Sequence, residues 1–141
     1  MKLLILNGPN LNLLGIREPD LYGRQSYAAL VEFCKTVCRS AGIQCEVYQS
    51  NHEGAIVDKI QEAYGCFDGI VINPAAYTHT SVAIADALKA VALPTVEVHL
   101  TEPLKREEFR HISYVTPLCR ARFAGFGFDS YRMAIEYLAG K

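Results

Sequence analysis

Glu97-Val98-His99 carries the sharpest chemical signal in the chain. The residues around it form a short apolar run that reads as a strand, and positions two apart on a strand share one face. A carboxylate beside an imidazole orients the ring and favours its protonated form, which makes a general acid near neutral pH. Charges in core strands are rarely buried unpaired, so Glu97 and His99 are a candidate catalytic pair.

Tyr22 is the next candidate, in the stretch Arg17-Glu18-Pro19-Asp20-Leu21-Tyr22-Gly23. A phenol is a poor base at its ordinary pKa of about 10, but a guanidinium held against its oxygen favours the phenolate. Bringing it to about 8 takes about 2.7 kcal/mol of differential interaction. Arg17 is near enough in sequence to supply this if the loop folds back. The segment 7–25 is long for a strand-to-helix connection, and Gly15 and Gly23 suit the hinges of a lid. In the plainer reading Tyr22 is an apolar plug and Arg17 a solvated charge.

Other polar clusters surround these. Asn7-Gly8-Pro9-Asn10 is either a simple turn or a pair of amides able to hold a water or a developing oxyanion. In the segment 73–81, Asn73 and His79 would point into a cleft, and Thr80 or Ser81 is a natural helix N-cap whose free backbone donors also suit an anion. Ser50 and Glu53 fit a capping box, which leaves Asn51 and His52 a structural or interface role. Arg106 and Arg110 suit one helical turn facing the cleft and a substrate carboxylate, or else weak surface pairs.

Several chemistries are disfavoured. His52, His79, His99 and His111 are not spaced as local ligand pairs, so no metal is expected. Lys2 opens its strand at the wrong end for an imine, and Lys35, Lys59 and Lys89 lie on helical stretches. Neither a nucleophile elbow, a phosphate loop nor a dinucleotide fingerprint is present.

The elements that must position these groups alternate. Apolar runs at 3–6, 70–72 and 96–98 read as strands, with weaker candidates at 43–48 and 122–126. Between them lie stripes at helical spacing: Tyr27 to Cys38 stopped by Gly42, Ile56 to Tyr64, Ile84 to Val91 before Pro94, and Tyr131 to Leu138. Strand–helix alternation predicts an α/β, flavodoxin-like, doubly wound five-stranded parallel sheet with helices on both faces, a single catalytic domain over 1–141. In such sheets ligands bind beyond the carboxyl ends of the strands, and the polar segments 7–10, 49–53, 73–81 and 99–101 each follow a strand on that one edge.

With 141 residues, 50% hydrophobic, 21% charged and a net charge of -1, the chain suits one globular domain without the basic surface that nucleic acid or anionic membranes require. No run is long enough to span a bilayer or act as a secretory signal, and five cysteines without a paired motif fit a reducing cytoplasm, with Cys34 and Cys38 packing in the core. The expected partners are a small-molecule substrate and further copies of the chain.

Taken together, N-G-P-N-L-N at 7–12, R-E-P-x-x-Y-G at 17–23, Q-S-N-H-E-G at 49–54, A-Y-T-H-T-S at 76–81, E-V-H-L at 97–100 and R-E-E-F-R-H at 106–111 closely resemble type II 3-dehydroquinate dehydratase. The resemblance implies a cofactor-independent lyase that dehydrates 3-dehydroquinate to 3-dehydroshikimate through an enolate, in the shikimate/quinate pathway, without metal or Schiff base. It implies Tyr22 as the base assisted by Arg17, Asn10 holding a water against the enolate, and His99, oriented by Glu97, protonating the leaving hydroxyl. It places Asn73, His79 and Arg110 on substrate hydroxyls, the Leu100-Thr101 backbone and the Thr101 hydroxyl on the carboxylate, and Asp86 at a neighbouring subunit's site. It also implies trimers assembled into a homododecamer. The chain departs from the family's common residues at Thr101-Glu102 (Ser-Asn), Ala75 (glycine) and Ala85 (arginine).

Two rival readings differ in class. One is a non-catalytic flavodoxin-like module that binds a metabolite, which has no need of Tyr22, Arg17, Glu97 and His99 together. The other is an acyl-transfer or phosphate enzyme, for which no activated nucleophile or phosphate loop is found.

Overall fold

A computed structural model describes residues 1–16, 18, 20 and 25–141. Among them are five strands, β1 (Lys2–Asn7), β2 (Gln44–Gln49), β3 (Gly69–Asn73), β4 (Thr95–His99) and β5 (Ala121–Ala124), and four longer helices, α1 (Tyr27–Ser40), α2 (Glu53–Ala63), α3 (Val82–Val91) and α4 (Asp129–Leu138). The strands form one sheet in the order β2-β1-β3-β4-β5, parallel at every pairing. This is the doubly wound arrangement expected from the alternation.

Burial explains which strands are plain in the sequence. The interior strands β1, β3 and β4 are covered on both faces, so they read as continuous apolar runs. The edge strands β2 and β5 are only half-buried, and their patterns are correspondingly weaker. On one face α1 and α4 pack over Leu3, Ile5, Val71, Val96 and Val98. On the other, α2 and α3 pack over Leu4, Leu6, Ile70 and Ile72.

Helix starts follow local chemistry, with one correction. Ser26 accepts a hydrogen bond from the Ala29 amide at 3.1 Å, and Ser81 accepts one from Ile84 at 3.0 Å, so each caps its helix. The expected capping box at Ser50 and Glu53 does not form. The Ser50 amide donates to the Asn7 carbonyl at 3.0 Å, which holds Ser50 beside the sheet. Its hydroxyl accepts from the His52 amide at 3.0 Å, and α2 starts only at Glu53.

The 106–110 stretch is a second correction. It is not one helical turn: Arg106 is in extended backbone after a short 3-10 turn at Pro103–Lys105, and Arg110 ends a second one at Glu108–Arg110.

The carboxyl ends of β1 and β3 are drawn together at one point. The Gly8 amide donates to the Asn73 carbonyl at 2.8 Å, and a Cβ on Gly8 would lie 2.5 Å from the Pro74 carbonyl oxygen. Only glycine permits that approach.

Candidate active site

The residues that follow the strand ends converge on one cleft. Asn10, Asn73, His79, His99, Leu100, Thr101, Arg106 and Arg110 line it, and a contiguous cavity behind them reaches Glu97. Two arginines, two asparagines and two histidines around one opening suit an anionic ligand rich in hydroxyls.

Glu97 and His99 meet as their spacing requires. His99 Nε2 lies 2.5 Å from Glu97 Oε2, which leaves Nδ1 as the ring nitrogen available to a ligand. Glu97 is fully buried, and burial alone would raise its pKa. The hydrogen bond and charge of His99, with hydrogen bonds from Thr116 and Thr78, outweigh that and hold the carboxyl below its ordinary range. The arrangement is an oriented imidazole backed by an ionised carboxylate.

Asn10, just before the short 3-10 turn Leu11–Leu13, is in the left-handed region, φ 70, a conformation asparagine tolerates. Its amide donates to Asn51 Oδ1 at 2.9 Å. Gln49 Nε2 donates to the same oxygen at 3.1 Å and to the Gly8 carbonyl at 3.2 Å, while the Tyr77 hydroxyl donates to the Asn51 carbonyl at 2.7 Å. Asn51, left to a structural role from sequence, is the post to which the Asn10 turn is tied.

Asn73 is held from the opposite layer. Its Nδ2 donates to the Tyr131 hydroxyl at 2.9 Å, and its Oδ1 accepts from the Ala75 amide at 3.1 Å. Tyr131 in turn donates to Asn7 Oδ1 at 2.6 Å. Burial holds this phenol well above its ordinary pKa, so it keeps its proton and the direction of both bonds is fixed.

His79 Nδ1 is 2.7 Å from the Ile112 carbonyl, so that nitrogen carries the hydrogen and Nε2 is an acceptor. Burial pushes its pKa down, more than the Ile112 bond raises it. Arg110 Nε donates to Glu107 at 2.5 Å while its side chain remains on the cleft wall.

Glu102, an added negative charge beside Thr101, is matched by a cation. Arg122 donates to its two carboxylate oxygens at 2.8 and 3.3 Å and, as the largest influence, holds its pKa below the usual range. Ala75, where the resembling family commonly has glycine, sits at φ 51.

The dehydroquinase class II family model matches residues 1–139. The chain belongs to the class II dehydroquinase family. It is similar to a 3-dehydroquinate dehydratase of Campylobacter hominis, 50% identical over 96% of this chain and 87% of that protein. It also resembles a protein named catabolic 3-dehydroquinase 2 of Neosartorya fischeri, 53% identical over 96% of this chain and 90% of that one. Among solved structures, type II dehydroquinase from Butyrivibrio crossotus superposes with a TM-score of 0.96 at 55% identity, covering 98% of this chain and 97% of that chain.

In this class II dehydroquinase the site residues expected from sequence fall into three groups. Asn10, Asn73, His79, His99, Leu100, Thr101 and Arg110 line the cleft, and Glu97 stands behind His99. Asp86 is exposed on α3 and is not among the lining residues of its own chain's cleft. Arg17 and Tyr22 lie outside the described residues. Sequence reasoning missed the support shell of Thr78, Ser113, Thr116, Gln49 and Tyr131. Thr78 and Gln49 lay within motifs already singled out, at 76–81 and 49–54, and Tyr131 within a helical stripe.

Proposed function

We propose that this chain dehydrates 3-dehydroquinate to 3-dehydroshikimate through an enolate. The observation that carries the reading is the buried Glu97–His99 pair opening onto a cleft rich in cationic and amide groups. A proton next to a ketone leaves only if the enolate charge is met, and a β-hydroxyl leaves only if it is protonated.

Tyr22 as phenolate, assisted by Arg17, takes the proton beside the ketone. Asn10 holds a water whose hydrogen meets the enolate oxygen. The enolate then expels the β-hydroxyl, which takes a proton from His99 and departs as water, and the phenol proton passes back to His99 through solvent to restore the site. Asn73, His79 and Arg110 bind the ring hydroxyls, and the Leu100-Thr101 backbone with the Thr101 hydroxyl binds the carboxylate. Among the described residues no lysine lines the cleft, which disfavours an imine route. The reading includes a cytoplasmic, cofactor-independent enzyme of the shikimate/quinate pathway, assembled from trimers into a dodecamer in which Asp86 reaches a neighbour's site. The buried Glu97–His99 pair favours this over a non-catalytic module that only binds a metabolite, which has no need of an oriented acid.

The test is direct. Purified protein mixed with 3-dehydroquinate and no added metal should develop the ultraviolet absorbance of a conjugated enone. Tyr22→Phe should fold normally and lose nearly all turnover; full activity in that variant refutes the base assignment. Borohydride added with substrate should leave the protein unmodified, and a substrate adduct on a lysine would replace the enolate route with an imine.

A further inference from the structure

The carboxylate of Glu97 is enclosed by three hydroxyl groups from two separate stretches of chain. Thr78 donates to Glu97 Oε2 at 2.9 Å, and Thr116 makes a short hydrogen bond to Oε1. Ser113 lies 2.7 Å from Thr78 Oγ1 and 3.4 Å from Glu97 Oε2. Thr78 is in the turn after β3, whereas Ser113 and Thr116 belong to the irregular segment before β5.

Counting donors fixes which way these hydroxyls point. Ser113 Oγ accepts from the Val115 amide at 3.2 Å and from the Thr116 amide at 3.1 Å, which occupies both of its lone pairs. Its single hydrogen is left to point at Thr78 or at Glu97 itself. Where it donates to Thr78, the Thr78 hydrogen is in turn directed at Glu97. Two backbone amides are thus relayed through hydroxyls onto one carboxylate, and the whole set favours the anion over the neutral acid.

A proton shared between Glu97 Oε2 and His99 Nε2 has two resting places. On the ring it gives an imidazolium beside a carboxylate, and on the oxygen it gives a neutral ring beside a carboxylic acid. Nδ1 carries a hydrogen in both, but only the cationic ring gives it up readily, because the N–H of a neutral imidazole is a far weaker acid.

We infer that Thr78, Ser113 and Thr116 are positioning residues that keep this proton on His99 by holding Glu97 as the anion. The inference rests on His99 as the acid of the dehydration. Other groups face the pair as well. His79, Arg110, His111 and Arg122 share its cavity, Glu102 is bound to Arg122, and Cys119 follows the Thr116 turn. None of these donates a hydrogen bond to Glu97 among the contacts described, whereas Thr78 and Thr116 both do.

The test is to read the His99 ring by 15N NMR at pH 6 alongside steady-state kinetics on 3-dehydroquinate. In the wild type both ring nitrogens should carry hydrogen. In Thr116→Val and in Thr78→Val the ring should move to the neutral signature, with kcat roughly tenfold lower and KM within about twofold, as loss of a hydrogen bond to a charged group would give. Thr116→Ser should restore both readouts. If a valine variant fails to fold, Ser113→Ala breaks the relay with a smaller change and should move the ring in the same direction. A folded variant whose ring stays doubly protonated overturns the inference, whether or not kcat falls. A wild type that leaves 3-dehydroquinate unchanged overturns the dehydratase reading instead, while the nitrogen spectrum still reports where the proton sits.

Discussion

Tyr131 and Asn73 are 58 positions apart and joined by a 2.9 Å hydrogen bond in the buried floor of the cleft. The same hydroxyl reaches Asn7, so one phenol from α4 sets the amide orientation at the carboxyl ends of β1 and β3. Tyr131→Phe keeps the ring packing but leaves two buried amide atoms without their partner. We predict a loss of about 3 kcal/mol in urea unfolding and a several-fold rise in KM. An unchanged unfolding midpoint would show that water replaces the hydroxyl at no cost.

Gly8 admits no side chain. A methyl group there would sit 2.5 Å from the Pro74 carbonyl oxygen, so the ends of β1 and β3 would have to part. Gly8→Ala should cost about 2 kcal/mol or more and lower kcat/KM by at least about tenfold, because the turns bearing Asn10 and Asn73 both move. Thermal unfolding and kinetics together check it, and a variant indistinguishable from wild type in both would contradict the tight approach.

Ala75 runs the other way. It holds a left-handed conformation, φ 51, that costs an alanine about 1 kcal/mol and costs glycine little. Ala75→Gly should therefore stabilise the protein by up to about 1 kcal/mol, with activity kept. A lower unfolding midpoint would sink this.

Arg122 neutralises Glu102 beside the turn assigned to the substrate carboxylate. In Arg122→Met, Glu102 is left to repel that carboxylate, so KM should rise roughly tenfold and fall again in Glu102→Gln/Arg122→Met. The pH dependence has a definite sign. Because Arg122 lowers the folded pKa of Glu102, the stability from the pair is fully present above the unfolded value of about 4.3 and is lost as pH falls through the folded pKa. The stability gap between wild type and Arg122→Met should be constant near neutrality and close on acidification. A gap that widens in acid has the wrong sign for this pair.

The sequence made the strands, the edge of the sheet that carries the cleft and the Glu97–His99 pair readable, because each depends on spacing within a few residues. Ser50 and Glu53 show where such local reading stops. The S-x-x-E pattern fits a capping box, but the Ser50 amide is bound to Asn7 in β1, and that tertiary bond delays the start of α2. The shell around the site was hidden for a related reason. Ser113 and Thr116 lie in a stretch with no hydrophobic period, and Tyr131 reads as one more member of an amphipathic stripe. Their roles arise only when distant segments meet, which no pattern along the chain encodes.

The cleft straddles the rim of the sheet. Glu97 and His99 project toward the α2 and α3 side, alternating with Val96 and Val98, while Asn7 and Asn73 project toward the α1 and α4 side. A substrate ring lodged there, as proposed, is met by groups anchored in different halves of the molecule. Under the proposed reaction, a packing defect in the α2 and α3 layer should disturb the Glu97–His99 side of the cleft while sparing the Asn73 side.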